Sequence, residues 1–218
     1  TNGITAVEDW GSATNLKKGF FSDLNRLESL PETWGNITSI GKSVFEGASN
    51  LTSIPKTWGK VTSLGDGAFN RAGLTKIPDQ WPAGMTYLPK DVFRSNKIKS
   101  VPESWGGIKD IGNGAFGYQD LTADDTFKVP NWTGVTSIGD QAFASTSSNN
   151  RAKMDLPASF ETVKSIGWAA FEYAKGVEDK ITDWGDVETI GANAFYRSDL
   201  TSLPDSWGKV NKLGNEAF

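Results

Sequence analysis

The sequence predicts a solenoid wound at roughly 24 residues per turn, built from short β legs and irregular corners with few helices. Three observations predict it. A phenylalanine returns nine times in phase, as Phe21, Phe45, Phe69, Phe93, Phe116, Phe143, Phe171, Phe195 and Phe218. Eleven residues earlier an aromatic usually stands, as Trp10, Trp34, Trp58, Trp105, Trp132, Phe160, Trp184 and Trp207, with Trp81 one residue further back. Between them the apolar positions follow neither the 3.6-residue period of a helix nor a long alternation of two.

The turn at 51–69, LTSIPKTWGKVTSLGDGAF, shows each element in order. Leu51 and Ile54 bound a first leg, and Val61 and Leu64 a second, each sending apolar residues inward. Pro55 and Gly65 punctuate the corners. Trp58 spans the widest gap between apolar positions, so its ring is expected to fill one corner of the core. Phe160 occupies the same column, which keeps the bulk and discards the indole N–H. One turn alone cannot bury its inner face, whereas stacked turns bury a continuous core. Composition shifts nowhere, so residues 1–218 read as a single array of about nine copies with the last cut short. Thr1 is no natural start and Phe218 is a core position, so the chain is read as a piece of something longer, with a C-terminal turn that frays or makes end-to-end contacts.

The pattern L-x-x-I-P…V-T-S-I-G-x-x-A-F resembles the BspA-type leucine-rich repeat of bacterial surface proteins. The resemblance covers nearly the whole chain. It implies a right-handed leucine-rich-repeat solenoid, an extracellular or cell-surface location, and a role in adhesion. Two departures stand out. The family often has Cys shortly after the A-F pair, where this chain has Ala48 and Ala72, and the Trp58-Gly59 insertion lies outside the usual pattern.

Composition limits the chemistry. The net charge is −4 with 22 Lys and Arg and no basic cluster, so the positive footprint of a nucleic-acid binder is missing. No apolar run approaches a bilayer's thickness, and no membrane insertion is expected. With no His and no Cys, the commonest general base, metal ligand and thiol nucleophile are all absent. Motif matches dissolve into the repeat. Residues 112–117 spell G-x-G-x-x-G without a strand-to-helix unit behind them, and the S-x-x-K matches at Ser39 and Ser53 lack companion motifs. Asp124 and Asp125 lack the alternating oxygen ligands of a calcium loop. Sequons at Asn36, Asn50 and Asn131 follow from Thr-rich repeats. No catalytic, cofactor or metal residue is therefore assigned.

Departures between copies carry the functional signal. Two connections, 117–131 and 144–159, are longer than the rest and are expected to be loops. Trp168 stands in a column that otherwise holds Lys42, Asp66, Lys90, Asn113, Asp140, Ala192 and Asn215, and is expected outside. Tyr118, Tyr173 and Tyr196 follow their anchors closely, and Arg71, Arg94 and Arg197 share that edge. Tyr, Trp and Arg are the usual hot-spot residues of interfaces. The bland reading, that the rings lie flat over the solenoid edge and shield it, weighs somewhat more than the contact reading. The expected function is a non-catalytic binding module for a protein or glycan partner on a host or neighbouring cell, acting as a monomer or through end-to-end contacts; the alternative is a structural stalk. By the resemblance a concave strand face would be the rival surface, expected at 51–54 and marked by Lys56, Asp79 and Glu103.

Overall fold

The computed structural model of the chain describes residues 3–131, 133–145 and 151–218. Its elements are strands β1 (Asn15–Leu16), β2 (Ser39–Ile40), β3 (Ser63–Leu64), β4 (Tyr87–Leu88), β5 (Asp110–Ile111), β6 (Thr126–Lys128), β7 (Ser137–Ile138), β8 (Lys153–Asp155), β9 (Ser165–Ile166), β10 (Thr189–Ile190) and β11 (Lys212–Leu213). Among the described residues there is no helix. Each main turn contributes one two-residue strand, paired in parallel with its neighbours everywhere except between β3 and β4. In β2, for example, Ser39 stands beside Asn15 and Ile40 beside Leu16. The inward residue of each pair is apolar and buried in all but the last strand.

The ladder lies on the second leg of each turn, a correction to the expectation of a strand face at 51–54. The first leg ends in proline in most copies, and Pro31, Pro55, Pro78 and Pro102 have no N–H to donate. The second leg ends in glycine, and Gly41, Gly65, Gly112 and Gly139 donate to Leu16 O, Ile40 O, Leu88 O and Ile111 O at 2.8–2.9 Å. Pro89 tests this logic from within. It takes the glycine's place in the fourth copy, and there the pairing stops: β1-β2-β3 form one sheet and β11-β10-β9-β7-β5-β4 another. The two longer connections are more than loops, because β6 and β8 lie within them and pair with each other.

Packing is dominated by two aromatic columns. All nine anchor phenylalanines stack in sequence, with neighbouring centroids 5.2–5.9 Å apart and planes within 24°. Each such ring pair contributes about 0.5–1.5 kcal/mol beyond the area it buries. The second column is less regular. Trp34 stacks on Trp10 and Trp58 at 5.5 and 6.1 Å, but the displaced Trp81 meets Trp58 edge-on at 76°. Trp34, Trp105 and Trp184 are fully buried, and Phe160 stacks on Trp184. The indoles of Trp34, Trp81 and Trp184 leave their N–H groups without a partner, whereas those of Trp10, Trp58 and Trp105 donate to Thr33 O, Gln80 O and Pro78 O, so bulk is common to the column and the hydrogen bond is not. Trp132 lies outside the described residues.

Candidate functional site along the anchor edge

The edge forms where the chain leaves the core after each anchor phenylalanine. Two residues before and two after the anchor the backbone is left-handed, as at Gly67 (φ 62°) and Arg71 (φ 54°). This conformation aims N–H groups along the stack. Phe69 N donates to Val92 O, and Arg71 N to Arg94 O at 2.9 Å. Successive edges are thereby tied together through their main chains, which leaves the side chains free to differ. Tyr118 (φ 59°), Tyr173 (φ 58°) and Arg197 (φ 52°) all occupy the second of these left-handed positions. Side chains there project from a rigid, hydrogen-bonded rail.

The seven residues anticipated on this edge do not form one patch. Arg71 pairs with Glu46 at 3.2 Å in solvent. Arg94 pairs with Asp91 at 3.3 Å and lays its guanidinium 4.4 Å from the centre of the Tyr118 ring. The Tyr118 hydroxyl accepts from Gln141 Nε2 at 2.6 Å. Burial raises the Tyr118 phenol pKa, with the Arg94 charge partly opposing. This pair is largely self-satisfied, in keeping with the shielding role.

The second group is more open. Tyr173 and Tyr196 meet edge to face at 6.3 Å. Arg197 lies 5.2 Å from the Tyr196 ring centre and 5.9 Å from that of Tyr173, and its Nε donates to the Tyr196 hydroxyl at 3.1 Å. Arg151, which the sequence reading passed over, lies 5.6 Å from the Tyr173 ring centre and donates from Nη2 to Arg197 O at 3.3 Å. Only its place in a lengthened connection marked it. Glu172 is close enough to sense Arg197, and burial raises its carboxyl pKa. Trp168 is 47% exposed, as its polar column implied. Its backbone N–H donates to Asp140 Oδ1 at 2.7 Å, which fixes the main chain and leaves the indole outward.

Other residues missed in the sequence are structural. Asn96 is fully buried; its amide donates to Phe69 O and Arg94 O and accepts from Leu74 N. Gln119 does the same with Phe93 O, Phe116 O and Ile98 N. Both stand in the column of Ala48 and Ala72, where an amide is itself the signal. Tyr87 was also missed. It is 47% exposed on β4, in a column of Ser39, Ser63 and Ser137. Asp125 is committed elsewhere: Lys99 Nζ at 2.6 Å and the Thr122 N–H and hydroxyl hold its carboxyl down to about 2.

A solenoid of short parallel strands, without a helix among the described residues, defines a repeat scaffold. This chain belongs to the BspA type leucine rich repeat family, whose six-copy region matches residues 14–150 and 86–218. No curated protein matches it. Among solved structures it is similar to a leucine rich cell surface protein from Faecalibacterium prausnitzii, at 18% identity and TM-score 0.44 over 99% of this chain and 70% of that one. A leucine-rich repeat protein from Eubacterium ventriosum matches at 15% identity and TM-score 0.44 over 99% and 82%. Another from Bacteroides ovatus matches at 15% identity and TM-score 0.34 over 97% and 75%.

Proposed function

We propose that the chain is a non-catalytic, cell-surface binding module that adheres to a protein or glycan partner through the edge carrying Trp168, Tyr173, Tyr196 and Arg197. Membership of the BspA type family supports the surface setting. One observation carries the choice of edge. An indole stands 47% exposed where other copies place small or polar residues, five residues before Tyr173 in the same turn. Large aromatics left in solvent on a folded repeat protein mark contact surfaces. The first legs offer a rival surface, a groove bordered by Pro31, Glu32, Pro55 and Lys56. Its outer column, Glu32, Lys56, Asp79 and Glu103, varies in charge between copies but carries no aromatic anchor.

A cell-adhesion assay with a Trp168→Ala/Tyr173→Ala double variant tests the reading. The variant is expected to keep its fold, judged by circular dichroism, and to lose about tenfold or more in adhesion, the scale of a removed hot spot. Undiminished adhesion by the folded variant would move the contact to the side of Lys56, Asp79 and Glu103. A wild-type chain that adheres to nothing would favour a structural stalk.

A further inference from the structure

Arg151 and Arg197 both approach the Tyr173 ring, and the Glu172 carboxyl senses the Arg197 charge without forming an ion pair with it. Arg197 is the edge residue of one turn, and Arg151 belongs to the lengthened connection of 144–159, so 46 positions separate them. They nevertheless meet at the Tyr173 ring, with centroid distances of 5.6 and 5.9 Å. Neither makes an ion pair among the described residues, whereas Arg71 and Arg94 each hold a carboxylate. The acid that the connection brings, Asp155, is paired with Lys180 at 3.4 Å. Arg151 Nε is buried without a hydrogen-bond partner.

The geometry points to a docking site for a carboxylate on an acidic segment of a protein partner, and it rests on the reading of this edge as the contact surface. Stacked guanidinium groups bind a planar two-oxygen acceptor through parallel N–H bonds, a match that a lysine ammonium cannot reproduce. Stacking against Tyr173 and Tyr196 holds both forks in place, so little side-chain entropy is lost on binding. Sugar recognition prefers an open ring face. At Tyr173 and Tyr196 guanidinium groups stand against the rings, so the cluster offers charge and N–H edges. An Asp or Glu side chain supplies what those edges lack.

The test is a nuclear magnetic resonance titration of the whole chain with a glutamate-rich decapeptide, alongside a lysine-rich decapeptide and a sulfated hexasaccharide. The glutamate peptide is expected to shift the Arg197 Nε–H and the Tyr173 and Tyr196 ring signals saturably, with affinity falling as salt is raised. Arg151→Gln/Arg197→Gln is expected to weaken it about tenfold or more, the scale of a charge-assisted bond. Arg151→Lys/Arg197→Lys, which keeps the charge and loses the fork, is expected to weaken it as well. Unmoved signals in the wild-type chain would overturn the proposal without needing any variant to fold. So would equal affinity in a folded Gln variant, or binding of the hexasaccharide alone. Any of these, alongside adhesion that still depends on Trp168 and Tyr173, would leave the binding edge standing and remove only its acidic partner. Glutamate-peptide binding in a chain whose adhesion ignores Trp168 and Tyr173 would do the reverse.

Discussion

Gly65 and Gly67 look interchangeable in the sequence, yet each answers a different physical demand. A Cβ at Gly65 would lie 2.3 Å from Lys42 N of the preceding turn, backbone that cannot move aside. The same crowding recurs at Gly112, 2.4 Å from Leu88 O, and at Gly214, 2.1 Å from Ala192 N. Gly67 has room, its nearest atom being Ser43 Oγ at 3.5 Å, but its φ is +62°. Ser43, Asp91, Gln141 and Ala169 adopt the same left-handed backbone in other copies. Gly67→Ala is therefore expected to cost about 1 kcal/mol, the ordinary penalty of that conformation. Gly65→Ala should cost more than about 2 kcal/mol, because two main chains must separate. Urea unfolding of both variants checks the order, and equal losses would refute the close-approach account. The recurrence of glycine was legible in the sequence. Its two separate causes were not, because close approach depends on which backbone lies beneath.

The two legs of each turn read alike, and the sequence reading gave strands to both. The second leg forms a ladder in nearly every turn, whereas the first leg pairs only locally, in β6 with β8 and in isolated bridges such as Ser100 with Lys128; one contributor is the donor at its end. Proline after Ile54 cannot give the hydrogen bond that glycine after Leu64 gives to Ile40 O at 2.8 Å. Patterning of Leu51, Ile54, Val61 and Leu64 showed which residues turn inward, three of them buried and Ile54 packed against the core. Patterning alone carries no information on whether the neighbouring turn lies in hydrogen-bonding register. Pro89 is the exception that exposes the rule, since it breaks a ladder intact on either side. In a Pro89→Gly variant, amide 89 is expected to donate to Leu64 O and to exchange with solvent as slowly as the Gly65 amide. Exchange at the rate of an exposed corner would show that something other than the missing donor parts the sheets.

Across the whole molecule, regular columns supply cohesion, and the contact surface proposed above falls on irregular ones. The phenylalanine stack runs unbroken from Phe21 to Phe218. The tryptophan column beside it tolerates Phe160 and the displaced Trp81. Comparison of copies located the core columns and the outward Trp168, because each column is a set of internal controls. It missed Arg151, because nothing in the spacing of the columns shows that a residue of a lengthened connection approaches Tyr173. It also merged Arg94–Tyr118 with Tyr173–Tyr196–Arg197, which the structure separates into a satisfied pair and an open one. The central claim is that one tryptophan class holds the fold while Trp168 serves contact. Equilibrium urea unfolding of Trp105→Ala against Trp168→Ala tests it most directly. Trp105 is 1% exposed and gives its indole N–H to Pro78 O at 3.1 Å, so its loss should cost about 3–5 kcal/mol. Trp168→Ala should cost less than about 1 kcal/mol, as surface changes do; comparable losses in the two variants would contradict the division.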